Sequence, residues 1–463
     1  MTSENSKIQK VINLSLRRGI ILPSAELYGS FAGFFDYGPL GAELKRNVTS
    51  LWWRTFVQER DDMLGLDGAV LTHPRIWKAS GHLSEFNDPL VECKKCKSRF
   101  RADHLIEQEL KISVDGIGQE KIDEFLKKNK LVCPKCKGEL SETKVFNLMF
   151  KTFIGVEEDA ASAAYLRPET AQVIFANFKT LSQIGRKSLP FGIAQIGRAF
   201  RNEISPRNFV FRCREFEQME IEYFLNPKNL NDCLDFDSIA KHKALFCTEE
   251  HQAHTKDGEV MTFEKAVKED VIKTRWHAYW LGQSLTYFEK LGLKNLRLRQ
   301  HTKTELSHYA SETWDVEYNY PEWGWKELQG VANRTDFDLK QHAKESGKDL
   351  TVFDERTKER VLPHVIEPSF GVDRLVFTLL LEAYHETEEN GEAKITLHLD
   401  PLVAPVKVAI FPLMKKDGLG EKAREIYRLL KKSVPQSAYD ESGSIGRRYA
   451  RQDEIGTPWC VTV

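Results

Sequence analysis

The sequence predicts an α+β fold in which an antiparallel β-sheet is flanked by helices and followed by a smaller α/β unit. Residues 188–225 alternate in a strand-like way on both sides of a turn at 205–208, which is typical of two antiparallel strands. The segment 371–386 instead repeats apolar residues at helical spacing. After Pro401 and Pro405, a strand at 406–413 and a helix at 420–433 indicate a βαβ-type unit.

Residues 11–60 are predicted to be largely helical. Pro39 suits the start of a helix, and apolar residues then recur at helical spacing over 44–56. Residues 91–140 are rich in lysine and bounded by cysteine pairs, so we interpret them as an inserted module. Residues 226–300 are polar and then helical from 271 to 291, which predicts a second insertion that is mainly helical. Strands return over 301–400.

Composition narrows the class of protein. A chain of 463 residues is long enough for two to four domains. The 67 basic and 68 acidic side chains leave a net charge of -1, which excludes a broadly basic nucleic-acid coat but not a local basic patch. Apolar runs stay well short of a membrane span and the N-terminus is polar, so we expect a cytoplasmic protein with no membrane contact.

The cysteines fall into two groups. In a cytoplasmic protein the eight cysteines are free thiols or metal ligands rather than disulfides. Two CxxC pairs separated by 36 residues favour a tetrahedral zinc site over free thiols, although the usual spacing is shorter. The four ligands are Cys93, Cys96, Cys133 and Cys136.

Charged residues concentrate in two further segments. Residues 201–220 hold four arginines and four glutamates, which fits either a salt-bridged surface hairpin or a phosphate site, because guanidinium groups bind phosphate oxygens bidentately. In EPSFGVDRLVF (367–377), Gly371 lies at a strand-to-helix junction and Arg374 follows one turn later. That junction is either an ordinary helix cap or an anion site.

These two segments resemble motifs 2 and 3 of the class II aminoacyl-tRNA synthetases. FFDYGPLGAELKRN (34–47) is similar to motif 1 of the dimeric glycyl-tRNA synthetases. Motifs 2 and 3 alone specify only the class, whereas RPET and EPS point to glycine, and the resemblance covers nearly the whole chain. Other segments typical of that family are FRADH (100–104), LRPETAQ (166–172), WKELQGVANRTDFDL (325–339) and IEPSFGVDR (366–374).

The resemblance implies a catalytic domain over 1–400, with a sheet of six or seven antiparallel strands, and an anticodon-binding domain over 401–463. The family's anticodon-binding unit continues with further strand and helix, so either the tail is shorter here or the sequence is truncated. It also implies a glycine–tRNA ligase that uses ATP and Mg²⁺, binds glycine and tRNA(Gly), and forms a homodimer. The apolar helix at 44–56 points to the same dimer.

The resemblance further implies how ATP is held. Arg201 would grip the α-phosphate and the glycine carboxylate, and Arg374 the γ-phosphate, which makes these two arginines the catalytic residues. Phe216 would stack on adenine and Glu203 would accept from its amino group, while Glu327 is the expected Mg²⁺ ligand. The full ATP set comprises Arg201, Asn202, Glu203, Phe211, Arg212, Cys213, Arg214, Glu215, Phe216, Glu327, Leu328, Gly371, Val372, Asp373 and Arg374.

Glycine has no side chain to grip, so selectivity must come from walls that crowd the α-carbon. One methyl group is worth only about 1–3 kcal/mol of discrimination. By the resemblance, acidic groups hold the α-ammonium and Ser369 lies against the α-hydrogens, with Arg334 a weaker candidate for the same pocket. The glycine set comprises Arg101, Glu169, Phe216, Glu217, Gln218, Met219, Glu220, Glu367, Pro368, Ser369, Phe370 and Gly371.

Two alternatives stay open on the sequence alone. One is a class II synthetase for another amino acid, such as threonine, serine or proline. The other is a non-catalytic relative that serves as a nucleic-acid-binding subunit. Such a relative would be expected to lack the motif arginines, whereas Arg201 and Arg374 are both present.

Overall fold

The computed structural model describes residues 6–110, 112, 118–389 and 391–463. Within those residues a nine-stranded sheet forms the centre of the larger part of the chain. Its neighbouring strands are antiparallel apart from one parallel pair near each edge. In spatial order the strands are Glu259–Thr262, Lys243–Cys247, Leu296–Gln300, Glu312–Tyr320, Gly324–Thr335, His364–Gly371, Glu215–Leu225, Phe191–Phe200 and Met63–Leu66.

The predicted antiparallel hairpin is confirmed. Phe191–Phe200 pairs with Glu215–Leu225 from Phe191 opposite Phe224 to Phe200 opposite Glu215. Because successive side chains on a strand point to opposite faces, Met219, Ile221 and Tyr223 enter one core. Phe224 and the opposing Phe191 enter a second core on the other face.

Helices cover both faces of the sheet. On the face of Met219 and Tyr223 the buried aromatic residues Trp52, Phe56, Trp280 and Phe370 pack against one another. The helices that contribute to this core include Lys7–Arg17, Pro39–Trp53, Arg275–Lys290 and Val372–Ala383. The helices Ala171–Ile184 and Phe337–Ser346 cover the other face.

The segment 226–300 differs from the expected helical insertion. It does contain helices, namely Asp237–Ala240, Glu249–Ala253, Phe263–Lys268 and Arg275–Lys290. It also supplies the strands Lys243–Cys247, Glu259–Thr262 and Leu296–Gln300, which extend the central sheet to nine strands instead of six or seven. These strands are only four or five residues long, too short for alternation to stand out in a polar stretch.

The helix predicted over 371–386 ends earlier, at Ala383. From there Tyr384–Glu389 forms a strand that pairs with Glu392–Leu397. Tyr384 and its register partner Leu397 are both buried in the main core, and this tertiary packing outweighs the helical preference of the local sequence.

Two smaller units carry their own cores. In the cysteine-bounded module, Asn87–Glu92 pairs with Arg99–Arg101 and Lys144–Asn147, and the helices Ala102–Leu110 and Gln119–Lys128 complete the unit. The C-terminal unit is parallel, as predicted, with strands Val408–Phe411, Ser437–Tyr439 and Trp459–Thr462 and helices Leu419–Ser433 and Ile445–Asp453.

The remaining elements are short. They are the strands Ile21–Pro23, Phe35–Tyr37, Leu71–Thr72, Phe150–Phe153, Ala163–Leu166, Val352–Asp354 and Glu359–Val361, and the helices Pro74–Ala79 and His82–Glu85. Among the helices of the described residues, none combines the length and the apolar character that a membrane span requires.

Candidate active site

A cavity of about 650 Å³ opens where the loop between the paired strands, the central sheet and the start of helix Val372–Ala383 meet. Its walls carry side chains of both charges and two aromatic rings. The lining residues are Arg201, Glu203, Arg207, Asn208, Val210, Phe211, Arg212, Cys213, Phe216, Glu217, Gln218, Lys326, Glu327, Leu328, Ser369, Gly371, Asp373 and Arg374.

The two predicted catalytic arginines both line the cavity, each over an aromatic ring. The Arg201 guanidinium lies 5.2 Å from the centre of the Phe216 ring, and its Nε donates to the Pro168 carbonyl at 3.0 Å. The Arg374 guanidinium lies 4.7 Å from the centre of the Phe211 ring. Stacking on a ring fixes a guanidinium plane while its remaining N–H groups stay available to an anion.

Carboxylates hold two arginines of the cavity, Arg374 and Arg212, in place. Arg374 Nη1 lies 3.0 Å from a carboxylate oxygen of Glu327, and this contact lowers the pKa of Glu327. Arg212 lies 2.7 Å from the buried carboxylate of Glu203. Glu327 is also the register partner of Glu317, and Asp315 lies two residues earlier on the same strand, so acidic groups collect at this side of the cavity.

Some residues of the predicted ATP set lie outside the cavity lining. Arg214 donates to the carbonyls of Glu203 and Ala32, at 3.0 and 2.9 Å, and so stabilises the backbone of the loop between the paired strands. Glu215 pairs with Arg198, and Val372 is buried in the core. The backbone of Asn202 donates to the Leu148 carbonyl at 2.8 Å. The side chain of Val372 therefore lies away from the cavity.

The sequence analysis missed four lining residues: Arg207, Asn208, Val210 and Lys326. Arg207 and Lys326 add positive charge to the cavity, and both are exposed. Both belong to segments that were already singled out, Arg207 to the charged segment 201–220 and Lys326 to WKELQGVANRTDFDL. Their position in these segments was a signal in the sequence, but it does not show whether the side chains of Arg207 and Lys326 face the cavity.

Glu220 lies beneath the cavity at the centre of an acidic pocket. It accepts from the Ser369 hydroxyl at 2.6 Å, from the Gln218 amide at 2.8 Å and from the Thr170 backbone N–H at 3.1 Å. Burial raises the pKa of Glu220, and the nearby charge of Glu169 raises it further. Ser369 and Gln218 line both this pocket and the cavity above it.

Glu169 and Glu367 belong to the same electrostatic cluster. Glu169 Oε2 lies 3.4 Å from His82 Nε2. Its pKa is held well below the usual range by His82, Arg334 and Arg201, which together outweigh burial. Both Glu367 oxygens accept from Arg334 Nη1 at 2.9 Å. Burial raises the pKa of Glu367 to about 8, aided by Glu220 and Glu169 and opposed by Arg334.

Several residues predicted to bind glycine are placed elsewhere. Met219 and Phe370 are buried in the main core, so their side chains point away from the cavity. Pro368 is buried next to Glu367. Arg101 pairs with Asp88 and Asp103, at 3.0 and 2.5 Å, and does not line the cavity. Glu217 lines it but pairs with Lys45 at 2.5 Å.

The four paired cysteines converge at the tip of the inserted module. Their sulfur atoms all lie within 4.8 Å of one another, with Cys93 Sγ 3.5 Å from Cys136 Sγ and Cys96 Sγ 3.7 Å from Cys133 Sγ. Four thiolates each about 2.3 Å from a tetrahedral zinc ion would lie about 3.8 Å apart, so the geometry fits Zn²⁺. At Gly138, a Cβ atom would come within 3.0 Å of Cys93 Sγ.

Comparison with known proteins identifies the families to which the two parts of the chain are similar. The family model of the tRNA synthetase class II core domain (G, H, P, S and T) matches residues 154–384, and that of the anticodon binding domain matches residues 407–463. A glycine–tRNA ligase of Caldanaerobacter subterraneus subsp. tengcongensis is 49% identical, over 98% of this chain and 90% of the relative. Those of Clostridium kluyveri and Geobacillus thermodenitrificans are each 46% identical, with the same coverage.

The fold has a solved counterpart as well. A prolyl-tRNA synthetase of Cryptosporidium parvum superposes with a TM-score of 0.58 at 12% identity, over 100% of this chain and 70% of that one. This likeness confirms the predicted class II fold and bears on the fold alone. Identity of nearly one half over almost the full chain identifies the subfamily: the chain belongs to the glycine–tRNA ligases of the class II aminoacyl-tRNA synthetases.

Proposed function

We propose that the chain activates glycine with ATP in the cavity between Arg201 and Arg374 and transfers the glycyl group to the 3′ end of tRNA(Gly). The proposal rests on one observation, which is that the arginine-rich cavity and the acidic pocket around Glu220 are directly connected. Ser369 and Gln218 line the arginine-rich cavity and also hydrogen-bond to Glu220 in the acidic pocket below. A carboxylate and an ammonium group separated by one carbon fit that junction.

The first step is an in-line attack of a glycine carboxylate oxygen on the α-phosphorus of ATP. The new O–P bond gives glycyl-adenylate, and the bond to the leaving pyrophosphate breaks with its electron pair. The protein supplies position and positive charge rather than a nucleophile. Arg201 binds the α-phosphate, Arg374 the γ-phosphate, and Phe216 and Phe211 flank the adenine.

A bound Mg²⁺ ion would supply further neutralisation of the phosphate charge. Glu327 is the protein ligand that we assign to it, since Mg²⁺ is usually bound through one or two carboxylates plus phosphate oxygens. Glu327 faces the cavity, and Asp315 supplies a second carboxylate on the neighbouring strand. Burial raises the pKa of Asp315 to about 6, although it accepts from His301 at 2.8 Å.

Glycine selection rests on Glu169, Glu220, Glu367 and Ser369. The acids bind the α-ammonium through charge-assisted hydrogen bonds, which are stronger than neutral ones. Ser369 is fixed by its bond to Glu220, so its side chain occupies a defined position beside the pocket. A methyl group on the substrate α-carbon would collide with that wall.

The remaining proposals concern the rest of the molecule. The four cysteines hold one structural zinc ion, because four sulfur ligands leave no open position for catalysis. Residues 401–463 bind the anticodon, and the enzyme acts in the cytoplasm, where tRNA and ATP are available.

We also propose a homodimer. Its contact surface is the exposed segment around Leu27, Tyr28 and Phe31 rather than the helix at 44–56. The apolar side chains of the 44–56 helix are buried within the chain's own core, so they cannot support a dimer. Leu27, Tyr28 and Phe31 are instead 86%, 87% and 79% exposed, and they lie in the segment that leads into that helix.

The test is transfer of labelled glycine to tRNA(Gly) in the presence of ATP and Mg²⁺. We expect charging of tRNA(Gly) and not of tRNA species for other amino acids. Formation of glycyl-adenylate without any transfer would contradict the second step alone. A protein that forms neither product would contradict the proposal as a whole.

A further inference from the structure

We propose that Asp338 and Gln172 are positioning residues for glycine: they join Glu169 and Glu367 into one buried network and hold both acids toward the substrate ammonium. The inference rests on the proposed function, because it takes Glu169 and Glu367 as glycine-binding groups. Both positioning residues lie within segments that the sequence analysis singled out, RPETAQ and NRTDFDL, without giving either residue a role.

Arg334 is the cation at one end of this network and is 2% exposed. Its Nε and Nη2 donate to the two carboxylate oxygens of Asp338, at 2.7 and 2.8 Å. Its Nη1 donates to both oxygens of Glu367, at 2.9 Å. The guanidinium also lies 4.0 Å from the centre of the Tyr309 ring. Arg334 therefore has one fixed orientation and two carboxylate partners.

Gln172 connects Asp338 to the other acid. Its Nε2 donates to Asp338 at 2.8 Å and to Glu169 Oε1 at 3.1 Å. Its carbonyl oxygen lies 2.9 Å from His342 Nε2, which fixes the orientation of the amide. Gln172 is fully buried and Asp338 is 2% exposed, so these contacts are shielded from water.

The fold places the network directly behind the acidic pocket. Gln172 and Asp338 lie in the first turns of helices Ala171–Ile184 and Phe337–Ser346, and both helices pack on the same face of the sheet. Arg334 and Glu367 come from the paired strands Gly324–Thr335 and His364–Gly371. Two helices and two strands thus converge on one set of charges.

Charge balance gives Asp338 a role beyond packing. A buried guanidinium beside an ammonium-binding acid competes with the substrate for that acid. Asp338 binds Arg334 bidentately, which is the strongest common carboxylate–guanidinium geometry, and so provides a second negative charge for it. Without that charge, Glu367 would be the carboxylate left in direct hydrogen bonding with Arg334, and it would lose strength as an ammonium ligand.

The test compares Asp338→Asn with Asp354→Asn in glycine-dependent ATP–pyrophosphate exchange. Asp354 is a matched control because it is also buried and accepts from the Arg356 backbone N–H at 2.9 Å, away from the cavity. In Asp338→Asn we expect the KM for glycine to rise about tenfold or more, as loss of a charge-assisted hydrogen bond implies, with the KM for ATP changed by less than about twofold. The control should lower the thermal midpoint and leave both KM values unchanged.

Gln172→Met keeps the volume of the side chain and removes its hydrogen bonds, so it serves if Asp338→Asn does not fold. It should raise the KM for glycine in the same selective way. Equal rises in both KM values, or an unchanged KM for glycine, would overturn the positioning role. A parent enzyme without any glycine-dependent exchange would instead overturn the proposed function, so the two failures are distinguishable.

Discussion

Arg201 is the side chain on which the proposed phosphate binding depends most directly. Arg201→Ala is expected to lower the rate of glycine-dependent pyrophosphate exchange by about 10²-fold or more, because it removes a preorganised donor to the charge that develops at phosphorus. Arg198→Ala is the matched control, since Arg198 lies near the end of the strand that Arg201 follows but pairs with Glu215 outside the main cavity. Equal losses in both variants would remove Arg201 from the active site.

The raised pKa of Glu367 predicts a pH dependence. With a pKa of about 8, Glu367 binds a proton at lower pH, whereas the glycine ammonium requires its anion. The KM for glycine should therefore fall as pH rises from about 6 to 8, by at most about tenfold per pH unit. Glu367→Gln should raise the KM for glycine and abolish this slope. A slope that persists in the variant would contradict the assignment.

The motif resemblance named Glu220 and Ser369, which the structure brings together in the acidic pocket. It could not predict the hydrogen bonds that fix these groups. Thr170, Gln172 and Asp338 reach the pocket only through the packing of two helices on the sheet. The resemblance also named Met219 and Phe370, whose side chains point into the core because of strand alternation.

At the element scale, helix Pro39–Trp53 is tied to the ATP side of the site by the tyrosine just before it. The Tyr37 hydroxyl donates to Asp373 at 2.6 Å, and the other Asp373 oxygen accepts from the Glu217 backbone N–H at 2.7 Å. Asp373 precedes Arg374 and Glu217 follows Phe216, so one carboxylate fixes the spacing of both proposed ATP ligands.

Tyr37→Phe is therefore expected to raise the KM for ATP about threefold to tenfold while the KM for glycine stays nearly constant, since the lost bond is to a charged group. Tyr439→Phe removes a comparable bond, from Tyr439 to Glu441 at 2.7 Å, in the C-terminal unit and should change neither value. A change confined to the melting temperature would show that the Tyr37 hydroxyl serves stability alone.

The cysteine module makes a separate prediction about metal content. One zinc ion per chain is expected, and its removal by a chelator should unfold the module, because structural zinc sites contribute folding energy directly. Elemental analysis and thiol titration before and after chelation measure this. Four freely titrating thiols in zinc-supplemented protein would contradict the prediction.

Elements with long, regular patterns were predictable, including the paired strands of 188–225 and the C-terminal parallel unit. The short strands of 243–300 were not, because each is held by its neighbour in the sheet rather than by its own pattern. The strand that follows Ala383 likewise depends on burial of Tyr384 in a distant core.

The arginine-lined cavity and the acidic pocket lie next to each other. The central claim is that ATP binds in the cavity and the glycine ammonium in the pocket. Amino-acid-dependent ATP–pyrophosphate exchange tests that claim most directly, with glycine, alanine, serine, threonine and proline compared on the intact chain. Glycine is expected to support exchange, with alanine weaker by about 1–3 kcal/mol or more in kcat/KM. Exchange that is faster with any of the other four, or absent with glycine, would contradict the account.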